Sequence, residues 1–381
     1  MHTQTLELAG GTPGLRHSLR VLHFGPADGP KATIQAALHA DEVPALLVAQ
    51  ALRERLQRLE AEGQLLGRVQ LLPWANPLGL AQHLLGHHLG RFDLRDGLNY
   101  NRGYAELAAA AATRLQGRLG DDAAANAAVA RQALAEAAAA LTADTPAKDL
   151  KRRLLQLAVD SDVVLDLHCD GEAAMHLYAL SPQAAWAAEL GALLGARAVL
   201  LATDSGDSPF DEACSRPWLL LQQAMAPHPL PLGCFSATVE LRGEADTRHD
   251  WAAQDAEAIV EFLRRRGIVA GPPAPLPPAL CEPTPLAGSE PVTAPAAGVV
   301  VFHRAPGDLV AAGDVVADLV DIDSGERHAL TARSAATRRH EGASASGASK
   351  ARRSARSLRI SMPKAPCPAA GNIWSVSKIW R

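Results

Sequence analysis

Aromatic side chains are scarce in this 381-residue chain, at 4%, while alanine is abundant. We read that pairing as the coding bias of GC-rich DNA and not as chemistry. Cysteine is sparse too: Cys169, Cys214, Cys234, Cys281 and Cys367 are scattered, odd in number and without a CxxC pair. That argues against a disulfide framework and against a structural zinc knuckle. The N-terminal stretch MHTQTLELAGGTPGLRHS lacks a basic segment followed by an apolar one, so no secretory signal is read there. No charge-free apolar run reaches the roughly 18 residues of a membrane span, and the expected location is the cytoplasm. Excess positive charge is missing except at one end. The net charge is −4, yet residues 333–381 hold eleven Lys and Arg against one acid, Glu341. That end contributes +10, so the body before it carries −14, which argues against a nucleic-acid partner.

What the chain does have is 48% hydrophobic and 20% charged residues. This balance suits a soluble globular protein with a sizeable core, and the length allows two or three domains. The apolar run at residues 32–38 reads as a buried strand. It leads into a helix over residues 43–62, with Asp41 as the expected N-cap, Glu42 in the first turn, Pro44 just inside and Gly63 as the stop. His39 and Glu42 fall at the junction, three residues apart, where the turn can bring an imidazole and a carboxylate onto one metal ion. Such a pair needs a third ligand from elsewhere and an open position for water. The run VVLDLHCD, residues 163–170, is β-branched and apolar and ends in a polar cluster. A central strand of an α/β sheet delivers a catalytic side chain to its C-terminal edge in this way. His168 is the proposed third ligand. Cys169, its neighbour, faces the other side of the strand.

Residues 1–25 read as a lead-in strand or hairpin, with His17, Arg20 and His23 on the polar face of an edge strand. Val69–Pro73 is a short strand, and this β–α–β beginning points to an α/β fold. After the turn at residues 76–80 comes a polar loop, HLLGHHLGRFDLRDGLNYNRGY. Its His83, His87 and His88 invite a second metal site but read better as loop surface. Asn101-Arg102 sets an amide beside a guanidinium, a pair suited to gripping a carboxylate. Residues 105–158 are alanine-rich and form two or three helices, a structural layer without chemistry. A strand over 173–180 bearing His176, a helix over 183–197 and a polar loop at 204–212 follow. Next come a strand over 234–243 carrying Glu240 and an amphipathic helix over 250–266 capped by Gly267. For Glu240 the competing reading is a salt bridge with Arg242, which alternation places on the same face of the strand.

Taken in order, His39-x-x-Glu42, Asn99-Tyr100-Asn101-Arg102, Asp166-Leu167-His168 and Val239-Glu240-Leu241-Arg242-Gly243 resemble the motifs of the succinylglutamate desuccinylase/aspartoacylase family. Those enzymes are relatives of the zinc carboxypeptidases, and the resemblance spans residues 30–265. It implies a three-layer α/β sandwich with a mixed central sheet in residues 1–270. It also implies one zinc ion per chain, held by His39, Glu42 and His168. Glu240 would be the general base beside a zinc-activated water, passing the proton on to the leaving nitrogen. Asn101 and Arg102 would bind a free carboxylate of the substrate. A further upstream arginine would polarise the scissile carbonyl and stabilise the oxyanion. Arg91 is our choice for that role, and Arg95, open to an ion pair with Asp93 or Asp96, is the reserve.

Residues 271–285 are a proline-rich, semi-rigid linker. In residues 286–332, short β-rich segments alternate with Pro-Gly-Asp and Ala-Gly-Asp turns. They are similar to half of the lipoyl/biotinyl-type barrel appended in some members of the family. The segment contains no lysine, so we read a structural appendage and not a swinging arm. Where a second half should follow, residues 333–381 are basic and of low complexity. We read this tail as an out-of-frame terminus, with a genuine basic arm for an acidic partner as the alternative. Sequencing the gene locus decides: a one-base shift that restores barrel-like text supports the first reading, and a clean frame removes it.

The expected function is that of a zinc-dependent amidohydrolase cleaving the amide bond of an N-acyl amino acid or a related small carboxylate-bearing amide. Its partner would be that small molecule, with neither nucleic acid nor membrane involved. The oligomeric state, a homo-oligomer included, stays open. Two rivals share the site: a carboxypeptidase acting on peptides, which pocket depth would decide, and an inactive protein that binds zinc or ligand without turnover.

Overall fold

The computed structural model describes residues 1–11, 13–333 and 358–359; the reading of the basic tail otherwise lies outside the described residues. Apolar alternation in the N-terminal half builds β1 (His2–Glu7), β2 (Ser18–Phe24), β3 (Lys31–Ala36) and β4 (Arg68–Leu72), with helix α1 (Pro44–Ala61) between β3 and β4. β2 lies between β1 and β4, so the edge belongs to β1. Then come the short α2 (Pro77–Leu80), a hairpin of β5 (His83–Leu84) and β6 (His87–His88), and three helices in the alanine-rich region: α3 (Ala108–Leu115), α4 (Ala123–Ala139) and α5 (Pro146–Ala158). Asp122 accepts from the Ala124 and Ala125 amides to cap α4, and Thr145 caps α5 with Pro146 in its first turn, both favoured helix starts. The second half supplies β7 (Val163–Asp170), β8 (His176–Leu180), α6 (Ala184–Leu194), β9 (Ala198–Ala202), α7 (Phe210–Ala224), β10 (Phe235–Gly243), α8 (His249–Arg265) and β11 (Pro283–Pro285).

Nine strands form one mixed sheet in the order β1-β2-β4-β3-β7-β10-β8-β9-β11. Its centre, β4, β3, β7 and β10, is parallel throughout. The C-terminal ends of these strands therefore share one edge. Helices cover both faces. One core joins the sheet to α1, α6 and α8 through residues such as Leu52, Leu56, Leu190 and Phe262. The other packs Leu115, Leu134, Leu154, Phe210 and Trp218 from α3, α4, α5 and α7 against the opposite face. Each core is a continuous cluster of buried apolar side chains, which is what holds strands with nearly unbroken apolar sequences.

Three sequence expectations need correction. The helix expected over 183–197 ends at Leu194 because Gly195 turns left-handed (φ 65°), and residues 195–197 lead into β9. The polar loop at 204–212 runs into α7, whose first turn buries Asp211 and Glu212. Asp41 does not cap α1. Its N-cap is Val43, with no side-chain cap, because residues 39–43 close two turns of their own first, Glu42 N–H to His39 O and Val43 N–H to Asp41 O, both 3.1 Å. Glu42 thus precedes the helix.

Beyond α8 the chain ends its proline-rich stretch as β11, paired in parallel with β9. Proline is tolerated there because an edge strand leaves one row of amides unpaired. Then β12 (Glu290–Pro291) pairs with residues 358–359, and β13 (Val299–Phe302), β14 (Val315–Val320) and β15 (Arg327–Thr331) form an antiparallel sheet. Val300, Val316, Leu319 and Leu330 make its own small core.

Candidate metal centre

The site assembles where β3, β7 and β10 end. Ala37, in a left-handed conformation (φ 57°), turns the chain out of β3. Asn76, fully buried, holds the next step: its Nδ2 donates to Leu38 O (2.9 Å) while its Oδ1 caps α2. His39 and Glu42 follow on the closed turn. On the sheet, His168 of β7 lies in register with Glu240 of β10, and register partners in parallel strands present their side chains to the same face.

The ligand atoms of His39, Glu42 and His168 all lie within 4.8 Å of one another, and the three residues are buried. Nδ1 of His39 is 2.9 Å from Glu42 Oε1, and Nδ1 of His168 is 2.7 Å from Glu42 Oε2. The far nitrogen of each ring is already engaged. His39 Nε2 faces Asn99 Oδ1 at 3.0 Å, and His168 Nε2 faces Asp166 Oδ2 at 2.9 Å. All four ring nitrogens thus face oxygen acceptors; with a cation among the three ligands each Nε2 would keep its proton and each Nδ1 would turn a lone pair inward. Two imidazole nitrogens and a carboxylate this close in a buried site are satisfied by a proton or a cation between them. The donor set, two imidazoles and one carboxylate with oriented far nitrogens, fits a divalent metal such as zinc. Asn99 and Asp166 stood in the motifs without a role. Their acceptor oxygens give them one, and Gln35 extends it by donating to Asp166 Oδ1 at 2.9 Å.

The electrostatics agree with a cation site. Burial alone would raise the Glu42 carboxyl, but the His168 and His39 rings outweigh it and hold the group well below the usual carboxylate range. Burial lowers His39; at His168 it is overridden by Asp166 and Glu42, which raise the ring. Burial pushes Glu240 up to about 8, with the charge of Glu42 adding to the rise. A cation among the three ligands would draw Glu240 back toward its basic form. Glu240 Oε2 is buried without a hydrogen-bond partner among the described residues.

Around this centre the other sequence candidates divide. Arg91 Nη2 donates to Glu42 Oε1 at 3.0 Å, which brings its guanidinium to the site. Arg95 pairs with Asp93 instead. Asn101 is buried: its Oδ1 accepts from the Phe210 amide (2.9 Å) and its Nδ2 is 3.4 Å from His168 Nε2. Arg102 folds Nη1 onto Asn101 O at 2.6 Å. The Arg102 carbonyl accepts from Lys151 Nζ on α5, so the alanine-rich layer does reach the site loop. Burial lowers that lysine to about 8. His83 and His88 stack at 4.6 Å in the β5–β6 hairpin. Among the described residues, His39, Glu42 and His168 form the sole group of three side chains able to share a metal. The competing reading of Glu240, a salt bridge with Arg242, does not form: Arg242 binds Asp255 of α8 with two hydrogen bonds, at 2.8 and 2.9 Å. The cause is a left-handed Arg242 (φ 69°), which breaks the alternation.

Gly90 fixes the metal turn from outside. Its carbonyl accepts from Ala40 N–H at 3.1 Å, and a Cβ added there would lie 2.2 Å from Asp41 N and 2.6 Å from Ala40 C. Both are backbone atoms that cannot swing aside. Gly90→Ala is expected to displace the turn and to cost about 1–3 kcal/mol of stability. Chemical denaturation should show the loss, and equilibrium dialysis should show weakened metal retention.

A mixed α/β sheet with a His–Glu–His donor set at the C-terminal edge of its parallel strands, and a buried carboxylate beside it, is the layout of a metallohydrolase. Comparison with known proteins narrows the class. The model of the succinylglutamate desuccinylase/aspartoacylase catalytic domain matches residues 28–266, and the chain belongs to that family of deacylating hydrolases. A family protein of known structure from Shewanella amazonensis is 28% identical, with a TM-score of 0.77 over 88% of this chain and 92% of its own. A second, from Shewanella frigidimarina, is 24% identical, with a TM-score of 0.76 over 88% and 91%. The ectoine utilization protein EutE (DoeB) from Ruegeria pomeroyi shares the fold at 17% identity, with a TM-score of 0.58 over 87% and 88%. No curated protein matches the chain. No helix among the described residues is long and apolar enough to cross a membrane.

Proposed function

We propose that the protein is a zinc-dependent deacylase that hydrolyses the amide bond of an N-acyl amino acid or a related small carboxylate-bearing amide. The observation that carries this reading is the convergence of two imidazole Nδ1 atoms on Glu42, 2.9 and 2.7 Å away, beside a Glu240 oxygen with no hydrogen-bond partner among the described residues. His39, Glu42 and His168 would hold the zinc, which would supply Lewis acidity toward the scissile carbonyl and a nearby water. Glu240 takes the proton from that water and delivers it to the leaving nitrogen. Its buried setting suits both halves of the task, because a carboxyl raised toward neutrality exchanges protons readily. Arg91, charged and already at the mouth, offers its remaining N–H groups to the oxyanion. Asn101 and Arg102 form the wall that receives the substrate carboxylate, with Lys151 and the Phe210 amide holding that wall in place. Asn99 and Asp166 keep the two rings in the tautomer that presents Nδ1.

The test combines metal analysis with a substrate screen. Purified protein should carry one zinc per chain and release amine from one or more N-acetyl or N-succinyl amino acids. Release of C-terminal residues from peptides, with no cleavage of N-acyl amino acids, would replace the deacylase by the carboxypeptidase reading.

A further inference from the structure

On β10, Glu240 points to the site face, and Leu241 packs in the opposite core with α1, α6 and α8. Strict alternation would return Arg242 to the face of Glu240. There its guanidinium could reach the carboxylate, occupy its oxygens and hold it ionised in a salt bridge. The chain avoids this. Between Glu240 and Gly243 the ladder shifts: β7 advances from His168 to Asp170 while β10 advances one residue further. The additional residue is accommodated by a left-handed Arg242, φ 69°, a conformation that Cβ crowding makes unfavourable for most residues other than glycine. A bulge of this kind re-aims the side chains at the end of a strand. Here it sends the arginine to the α8 side, where Asp255, buried on α8, grips it through both oxygens at 2.8 and 2.9 Å. Its guanidinium also lies over the Trp251 ring, 4.8 Å from the centroid. Gly243 N–H to Asp246 Oδ2 (2.9 Å) and Glu244 N–H to Gly171 O (3.2 Å) secure the chain beyond.

We propose that Asp255 and Trp251 form a latch that holds Arg242 on the far side of the sheet, and that this latch is what leaves the Glu240 carboxylate free to act. Asp255 is then a positioning residue for the reaction, although it never touches substrate. The inference rests on Glu240 being the base of the proposed deacylase. Its structural half can nevertheless be read without any substrate.

The test is a double-mutant cycle with a structure at one corner. In Asp255→Asn the bidentate grip is lost. Arg242 is expected to relax toward a regular strand and to appear within hydrogen-bond distance of Glu240 in a crystal structure. On the substrate found by screening, kcat should fall by about tenfold or more, with KM changed less than about twofold, since part of the general-base contribution is blocked. Arg242→Gly/Asp255→Asn removes the intruding guanidinium and supplies a residue at ease with a positive φ, so kcat should recover to within about threefold of wild type. A latch that matters only for stability predicts the reverse, with the double variant the poorer of the two. An Arg242 that stays left-handed and apart from Glu240 in Asp255→Asn overturns the proposal whatever the activity. If Asp255→Asn does not fold, Trp251→Leu, which removes the stack but keeps the ion pair, is read in the same way. A structure with Arg242 at Glu240 in a protein without amidase activity keeps the latch and removes the function.

Discussion

Glu240→Gln is expected to reduce kcat by about a thousandfold, within the range that general acid–base catalysis contributes, while zinc content and KM stay close to wild type. Glutamine preserves the shape and hydrogen-bonding surface of the side chain but cannot take a proton from water or hand one to a departing amine. Two features make the effect large. The Glu240 carboxyl is raised to about 8, chiefly by burial, which marks it as a group that can exist in either form near neutrality. Its Oε2 has no partner among the described residues, so the substitution breaks no internal hydrogen bond at that atom and leaves the fold intact. Steady-state kinetics with metal analysis of the same preparation separates a chemical from a binding loss. A fall of less than tenfold would mean that another group accepts the proton, with Glu244, just beyond the strand end, the first to be tried.

His168→Ala should be the more destructive change. It removes one of three ligands, and it also takes one partner from each of two buried carboxylates, leaving Glu42 with His39, Arg91 and the Cys169 amide, and Asp166 with Gln35. Glu42 Oε2 and Asp166 Oδ2 lie 2.7 and 2.9 Å from the ring, and both residues are buried. Breaking a buried charged pair from one side costs about 3–5 kcal/mol, a large share of the stability of most domains. The variant is expected to lose zinc entirely and to unfold at a markedly lower temperature than metal-free wild type. Inductively coupled plasma analysis and thermal denaturation would record both. His176→Ala serves as the control, because His176 lies in register with Glu240 from β8 and bonds the Ala174 carbonyl without joining the metal group. Retention of a full complement of zinc in His168→Ala would remove the site altogether.

Much of the framework was readable because strands buried on both faces and amphipathic helices write their periods into the chain. The apolar run from Ala32 gives β3, which ends at Ala36, two residues short of the expected bound, and the α1 repeat and the VVLDLH strand lie where those periods put them. Three motifs far apart in sequence meet because each ends a strand of the same parallel set. What stayed hidden depends on backbone states or on tertiary burial. Nothing in the residue type of Arg242 announces a left-handed turn, so alternation assigned its side chain to the wrong face. The start of α7 was hidden because Asp211 and Glu212 look like loop residues until the fold buries them and Pro217 interrupts the pattern. Asp41 has the right chemistry for a cap, but backbone turns had already set the start of α1. Lys151 sits in a helix with no visible chemistry, and only the packing of α5 carries its amine to the Arg102 carbonyl. Behind the metal ligands, Asn99 and Asp166 could have been found by asking what each histidine does with its second nitrogen.

The short ladder between β9 and β11 changes how the molecule can be divided. A protease cut or a gene truncation at residue 271 would look sensible from the proline content, since α8 has ended and the small sheet lies well beyond. It would also strip Pro283–Pro285 from β9 and leave the rim of the nine-stranded sheet bare, an open seam at which another chain can dock. A cut after Leu286 keeps the seam closed. The natural border of the catalytic half therefore falls after the last prolines, and those prolines act as its hem.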